Sequence, residues 1–438
     1  MRDDIMVPSP PMSVALGDLD GVHGKDIVIA LWQPGKVGVM LNHGDGTFGA
    51  LQQYSAGPTC VGQAVEIELG DVTGPAGAFV PDGKLDVYVA CTPYVVRLTG
   101  DGTGALGSPS AFQLYLPPYQ GSATIDFLAL VRRPDGNPAP LLALQHSVGS
   151  SGRQLCISYE LDSEALVCSP TPVQGPLAVG DINGAFPGVP PDEIVTGVGA
   201  ATVGIFGFTH QLPTYFSNSL RTVPDVESAA VGDLNRDGRP DVLVGQSVNS
   251  ASERADSIHY FLMGAGELEQ VARTLPSTPG LDAVAIADVD ADGCSDVVGA
   301  GDHGRGMIHL GDGAGGFDGG QDLPQLGYQN PATATRATMA VSDLTGDGRP
   351  ELVIADQLGN AVTVYRNAST PAGGPCYVTP PPPTQEQVPV VTNPPAVVVP
   401  TPVPTPVLRA PVRNREARVT SSGRPVTMCS SAAWAATC

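Results

Sequence analysis

The stretch "GDLNRDGRPDV", residues 232–242, sets Asp233, Asn235, Asp237 and Asp241 within one short loop. Carboxylates crowded in this way repel one another unless something positive neutralises them. The flanks, "AAVG" before and "DVLVG" after, read as short apolar strands bracketing an acidic turn.

The phrase recurs. It stands as "GDLDGVHGKDI" from Gly17, "GDVTG…PDGKLDV" from Gly70, "GDING…PPDEI" from Gly180, "ADVDADGCSDV" from Ala287 and "SDLTGDGRPEL" from Ser342. Its leading aspartates, Asp18, Asp71, Asp181, Asp233, Asp288 and Asp343, are separated by 53, 110, 52, 55 and 55 residues. The long gap spans two periods, so a further copy is expected near residue 131. There "TIDFLALVRRPDGNPAPLLALQ" keeps strand, Asp-Gly turn and strand, but loses the acidic pattern. Seven copies follow, with insertions in the second and fourth.

Each copy shares one grammar. In the first, "SVALG", "DIVIALW", "GKVGVMLN" and "ALQQYSA" read as four strands, the third and fourth joined by the turn "HGDGTFG". Glycines in such turns supply the positive φ of a tight hairpin. One four-stranded sheet cannot bury both faces alone, whereas sheets packed radially around a channel can. The expected fold is all-β, a seven-bladed β-propeller of four-stranded blades followed by a Pro-rich disordered tail. The seventh copy lacks a fourth strand, and "DIMVP" at residues 4–8 is expected to fill that place and close the ring, with "CYVT" at Cys376 as the rival donor. Residues 1–371 are the expected propeller, 372–408 a Pro/Thr/Val-rich linker and 409–438 a disordered basic tail.

Composition agrees. The chain has 438 residues, 42% hydrophobic but only 5% aromatic, with 54 Gly and 43 Pro, as turn-rich β-structure requires. Its net charge is −22, and residues 379–438 hold five Arg against two Glu, which leaves −25 on the first 378. Such a surface disfavours nucleic acid and anionic membranes and favours cations. No apolar run approaches membrane-spanning length, and "MRDDIMVPSPPMSV" contains no secretory h-region. Cys156 and Cys168 lie symmetrically about a hairpin centre and Cys60 and Cys91 flank a strand pair. Either pair could be bridged or consist of small buried hydrophobes.

Within each turn, positions 1, 3, 5 and 9 offer side-chain oxygens and position 7 a backbone carbonyl. The complete sets are Asp233, Asn235, Asp237 and Asp241 with the Arg239 carbonyl, and Asp288, Asp290, Asp292 and Asp296 with that of Cys294. Asp343, Thr345, Asp347 and Glu351, with the Arg349 carbonyl, form a third. Asp18, Asp20 and Asp26, with Val22 at position 5, and Asp71, Thr73, Asp82 and Asp86, split by an insertion, are weaker. Asp181, Asn183 and Glu193 make a poorer set. Val131 and Arg133 stand where the third copy needs ligands, so no ion is expected there. Hard oxygens without paired His or Cys favour calcium. An EF-hand is excluded, because strands flank the loop and position 12 is Val244 rather than Glu.

The phrases "VALGDLDG", "KDIVIA" and "VGVMLNHGDGTFG" resemble the FG-GAP and VCBS repeats of integrin α-subunit propellers and bacterial secreted proteins. That resemblance implies a seven-bladed propeller with calcium in the turns between first and second strands, on the face opposite the ligand-binding surface. It also implies an adhesion or protein-binding role, secreted or at the cell surface, with a protein or glycan ligand. A carbohydrate-binding propeller is the alternative, and the propeller of a secreted polysaccharide-active enzyme is less favoured. No direct membrane insertion and a monomeric propeller are expected. No catalytic constellation emerges, and His23, His43, His146, His210, His259, His303 and His309 read as surface side chains. The opposite rim would carry Trp32, Tyr94, His146, Arg153, Glu253, Arg254, Asp302 and Arg305.

Overall fold

The computed structural model describes residues 2–32, 35–60, 64–72, 81–113, 123–132, 141–148, 153–158, 166–182, 192–198, 202–209, 212–220, 223, 225–246, 256–264, 268–269, 271–278, 280–301, 305–323, 338–367 and 376. Their regular elements are all β-strands or isolated bridges. Strand β1 (Arg2–Met6) comes first. The sheet of the Asp18 turn is β2 (Pro11–Gly17), β3 (Asp26–Leu31), β4 (Lys36–Met40) and β5 (Gln52–Ser55), paired in that order. The Asp71 turn lies in β6 (Glu66–Gly70), β7 (Asp86–Cys91), β8 (Tyr94–Gly100) and β9 (Leu106–Gln113).

A seven-stranded sheet follows: β10 (Ala123–Val131), β11 (Leu141–Val148), β12 (Arg153–Ser158), β13 (Leu166–Gly180), β14 (Glu193–Val198), β15 (Thr202–Thr209) and β16 (Leu212–Leu220). Strand β13 pairs β12 through residues 166–173 and β14 through residues 173–180. Two separate four-stranded sheets were expected here, and one shared strand joins them instead. The Asp233 turn belongs to β17 (Val226–Gly232), β18 (Asp241–Gln246), β19 (Ser257–Phe261) and β20 (Arg273–Pro276). The Asp288 turn belongs to β21 (Leu281–Ala287), β22 (Asp296–Gly301), β23 (Arg305–His309) and β24 (Gln321–Asp322). The Asp343 turn joins β25 (Thr338–Ser342) to β26 (Glu351–Asp356), followed by β27 (Ala361–Tyr365). The fourth place in that last sheet is taken by β1, in register from Arg2↔Tyr365 to Met6↔Ala361. Residues 2–6 therefore complete the sheet that the seventh copy leaves short.

In several sheets the second strand is the most buried. Every residue of β3, β7 and β22 is buried, and their Val, Ile and Ala side chains pack on both faces. Outer strands are wet, as in β5. Core clusters bridge neighbouring sheets: Val28 and Val39 pack with Ile67 and Val89, and Ile29 and Met40 with Val353 and Val362. The inner strands contact one another in the order β2, β6, β10, β13, β17, β21 and β25, and β25 returns to β2. The circle is closed, and the fold is a β-propeller.

Three disulfides occur among the described residues. Cys156–Cys168 joins directly paired positions of β12 and β13, with Cα atoms 4.0 Å apart. Cys60–Cys91 spans 5.0 Å between Cα atoms. Cys294–Cys376, at 5.6 Å, fastens a point beyond residue 371 to the Asp288 turn. No sequence pattern pairs Cys294, whose expected role is to offer its carbonyl. Thr73, Arg133, Asn183, His210, Glu253, Arg254, Asp302, His303 and the tail after Cys376 lie outside the described residues.

Candidate metal centres

The leading aspartate of each turn folds back over its own loop. Asp233 accepts the N–H groups of Asn235 and Asp237, each at 3.2 Å, and of Gly238 at 2.8 Å. Asp288 accepts those of Asp292 at 3.1 Å and Gly293 at 2.9 Å. Asp343 takes Thr345, Gly346 and Gly348 at 3.1, 2.7 and 2.8 Å. Asp71 takes Asp82 and Gly83 at 2.8 and 2.7 Å across the insertion, and Asp18 takes Gly21 at 2.7 Å. Glycine at position 6 is required by conformation rather than space. Gly238 has φ 80° and Gly293 φ 89°, and a Cβ on either would touch nothing.

The carboxylate at position 9 has a second task that its spacing did not reveal. Asp26, Asp86, Glu193, Asp241, Asp296 and Glu351 are all buried. One oxygen accepts the N–H just after the leading aspartate: Leu19 to Asp26 at 2.8 Å, Leu234 to Asp241 at 2.8 Å, Val289 to Asp296 at 2.7 Å and Leu344 to Glu351 at 2.7 Å. The other oxygen accepts an N–H just beyond the third strand: Asn42 to Asp26 at 2.8 Å, Met263 to Asp241 at 2.6 Å and Gly311 to Asp296 at 2.8 Å. These side chains latch the turn to the body of the sheet. Burial is the main influence on their acidity. It pushes Asp296 up to about 7 and Asp241 up to about 6, and raises Asp26 and Glu351, while the backbone N–H groups pull the other way.

Two turns bring carboxylate oxygens together. Asp18, Asp20 and Asp26 form one group and Asp288, Asp290 and Asp296 another, each with donor atoms within 4.8 Å of one another. The Asp290 carboxyl is raised, first by burial and then by Asp292. The Asp233 turn reads as complete, yet its three carboxylates do not make such a group among the described residues. There the Asn235 amide donates to Asp237 at 3.3 Å and Asn235 Oδ1 accepts from the Asp237 N–H at 3.0 Å, so the turn satisfies itself. In the Asp343 turn Arg349 pairs with Asp347 and holds its carboxyl below the usual range. The N–H groups of Arg239 and Arg349 donate to Asp237 and Asp347, both at 2.9 Å.

Asp292, Cys294 and Cys376 also converge. The two sulfurs are bonded to each other and supply no thiolate, so this group is a bridged loop. Arg236 Nη1 donates to Cys376 Sγ at 3.3 Å and ties the Asp233 turn to it.

The third and fourth copies solve the charge problem internally. Arg132 donates Nε and its backbone N–H to Asp192, both at 2.9 Å, across 60 residues of chain. The Asp192 side chain is 6% exposed, and this pairing raises the Arg132 guanidinium further. The sequence pointed to Arg133. Glu193 keeps the latch, accepting from Ile182 N–H at 2.9 Å.

Away from the turns, His309 is buried rather than at the surface, with Nε2 2.9 Å from the Pro276 carbonyl. Ser257 Oγ sits 2.9 Å from Nε2 of His259, whose imidazole is lowered by burial. Nδ1 of that ring faces the Thr274 hydroxyl at 3.2 Å, where a catalytic relay would place an acid.

Residues 233–299 and 288–354 each match the family model for the FG-GAP-like repeat. This part of the propeller is built of FG-GAP-like repeats. The matched FG-GAP-like segments hold the Asp233, Asp288 and Asp343 turns, and the latch recurs in earlier copies at Asp26 and Glu193. No curated protein matches the chain at the level of sequence. In fold, the chain is similar to the crystal structure of BBS1N in complex with ARL6DN, soaked with lead. The TM-score is 0.54 at 13% identity, over 86% of this chain and 98% of that one. A mercury-soaked form of the same complex matches with TM-score 0.52 at 13% identity, over 85% and 97%.

Proposed function

We propose that the chain is a calcium-stabilised, extracellular binding module that presents one propeller face to a protein partner. The observation that carries this is the convergence of hard oxygen donors at Asp288, Asp290 and Asp296 and at Asp18, Asp20 and Asp26, within 4.8 Å. These residues, with Asp292, would hold calcium, which supplies charge neutralisation and a fixed turn rather than chemistry. The Asp343 and Asp71 turns are weaker seats, and the Asp233 turn would have to reorient Asn235. Disulfides at Cys60–Cys91, Cys156–Cys168 and Cys294–Cys376 support an oxidising compartment. Millimolar calcium outside cells also matches the affinity range of extracellular modules, about 10⁻⁴–10⁻³ M.

We read the seven-stranded sheet as two blades sharing β13, which makes seven blades for seven inner strands. Residues 1–371 would then be the propeller, extended to Cys376 by its disulfide, with 372–408 as spacer and 409–438 as tail. The rim between second and third strands, with Trp32, Tyr94, Arg153 and Arg305, is the proposed partner face. A propeller of this shape engages ARL6DN in the BBS1N structures, which favours a protein over a glycan. Calorimetric titration of calcium into metal-stripped protein, followed by a melt, tests the metal. Saturable heat and a higher melting temperature are expected. Absence of both would overturn the calcium reading.

A further inference from the structure

Two asparagines stand at the same place in different sheets. Asn42 follows β4 and Asn367 follows β27, each just beyond the third strand of its sheet. Each backbone N–H donates to the position-9 carboxylate of its own turn, Asn42 to Asp26 and Asn367 to Glu351. Each side-chain amide then donates twice. Asn42 Nδ2 reaches the Lys25 carbonyl, at position 8 of its own turn, at 3.0 Å. It also reaches the Leu344 carbonyl, at position 2 of the neighbouring turn, at 2.8 Å. Asn367 repeats both bonds, on Pro350 at 3.3 Å and on Val289. A carboxamide nitrogen has two hydrogens to donate, so one goes to each turn. At three other latches this place is held by Gly100, Met263 or Gly311, whose side chains have no amide.

The two bridges flank one sheet. Asn42 joins the Asp18 turn to the Asp343 turn, and Asn367 joins the Asp343 turn to the Asp288 turn. The Asp343 turn belongs to the sheet that β1 completes. The turns on either side of it, at Asp18 and Asp288, are those whose carboxylate oxygens converge. Arg366, next to Asn367, pairs with Asp3 of β1 at 2.7 Å. Consecutive residues therefore fasten the closing strand and the Asp288 turn.

We propose that Asn42 and Asn367 are positioning residues through which ions in the Asp18 and Asp288 turns lock the ring shut. This rests on the calcium reading of those turns. An ion orders its turn and fixes the Lys25 or Val289 carbonyl where the amide meets it. Less freedom is then lost when the bridge forms, and β1 parts from β27 less often. By linkage, the closed ring binds the ions more tightly than the open one by the same factor.

The test is hydrogen exchange of the β1 and β27 amides in the full chain, first metal-stripped and then in saturating calcium. Calcium is expected to slow exchange about fivefold. Asn367→Ala and Asp290→Ala should each remove the same part of that slowing, and the double variant no more than either alone. Asn367→Ser can serve one carbonyl but not both, so it should act as Asn367→Ala does and gives a second route if alanine disturbs the fold. Circular dichroism checks each variant. An amide with a structural role alone would speed exchange equally with and without calcium, and that result overturns the proposal. So does additivity of Asn367→Ala and Asp290→Ala. Calcium uptake is followed by calorimetry alongside. Uptake without slower exchange at β1 overturns the proposal and leaves the calcium reading standing, whereas no uptake overturns both.

Discussion

The Asp288 turn and the turn between Asp181 and Glu193 share one backbone device and differ in their source of positive charge. In both, the position-9 carboxylate accepts the N–H that follows the leading aspartate, Val289 in one and Ile182 in the other. At Asp288 three carboxylates then converge, with donor atoms within 4.8 Å of one another. In the other turn Arg132, just after β10, reaches Asp192, just before β14. The latch is thus a general part of the fold, while the cation is a local choice between solvent and chain. A turn paired with a guanidinium has its repulsion offset within the chain. One without such a partner keeps like charges close together.

The comparison can be broken most forcefully at the latch. Asp296→Ala orphans the Val289 and Gly311 N–H groups in the interior and should lower stability by about 4 kcal/mol in denaturant melts, with or without calcium. A loss confined to calcium buffer would show that Asp296 is a ligand only. Asp290→Ala isolates the metal term, because Asp290 takes no part in the latch and accepts a 3.2 Å bond from Asp292 N–H. It should forfeit about 2.7 kcal/mol when free calcium exceeds Kd a hundredfold, and little in chelator. Asp288→Ala is the poorer choice, since it also removes the bonds from Asp292 and Gly293.

Arg132→Met sharpens the other side. It leaves Asp192 buried and unpaired, and a loss of about 2 kcal/mol that calcium does not alter is expected. Recovery of stability by calcium would mean that an ion can replace the guanidinium. A further test is the pH response in chelator. Asp241, Asp296 and Glu68 have carboxyls raised to about 6, 7 and 8, all by burial first. Between about pH 4 and these values the folded chain holds protons that the unfolded chain has released. Stability therefore falls as pH rises toward about 8 and levels off above it. The check is the melting temperature between about pH 5 and about pH 8, which is expected to fall as pH rises. A melting temperature that climbs over that range would contradict it.

The period of the acidic phrase was enough to place the inner strands, including the one near residue 131 whose copy lacks the acidic pattern. "DIMVP" was legible as the missing outer strand because the seventh copy visibly lacked one. The join at β13 was not legible. "LVCSPTPVQGPLAVG" contains Pro170, Pro172, Gly175 and Pro176, which read as a break. The chain runs through because its two halves face different partners, with Gly175 at φ 79° where the pairing shifts. In the turns, the spacing named the side chains but not their directions. It could not show that Asp241 turns inward or that Asn235 satisfies Asp237. Cys294 and Cys376 are 82 residues apart, beyond any local pattern. Arg132 was hidden for the same reason, since its partner Asp192 is set by the packing of one sheet half on the next.

The strand at residues 2–6 is hydrogen-bonded to the strand at residues 361–365. A growing polypeptide cannot make that clasp until nearly all of the wheel has left the ribosome. Until then the edge of β27 and the apolar flank of β2 wait uncovered, a long-range closure of the kind that delays folding and invites aggregation. A chaperone, or passage across a membrane before closure, would find its opportunity in that interval.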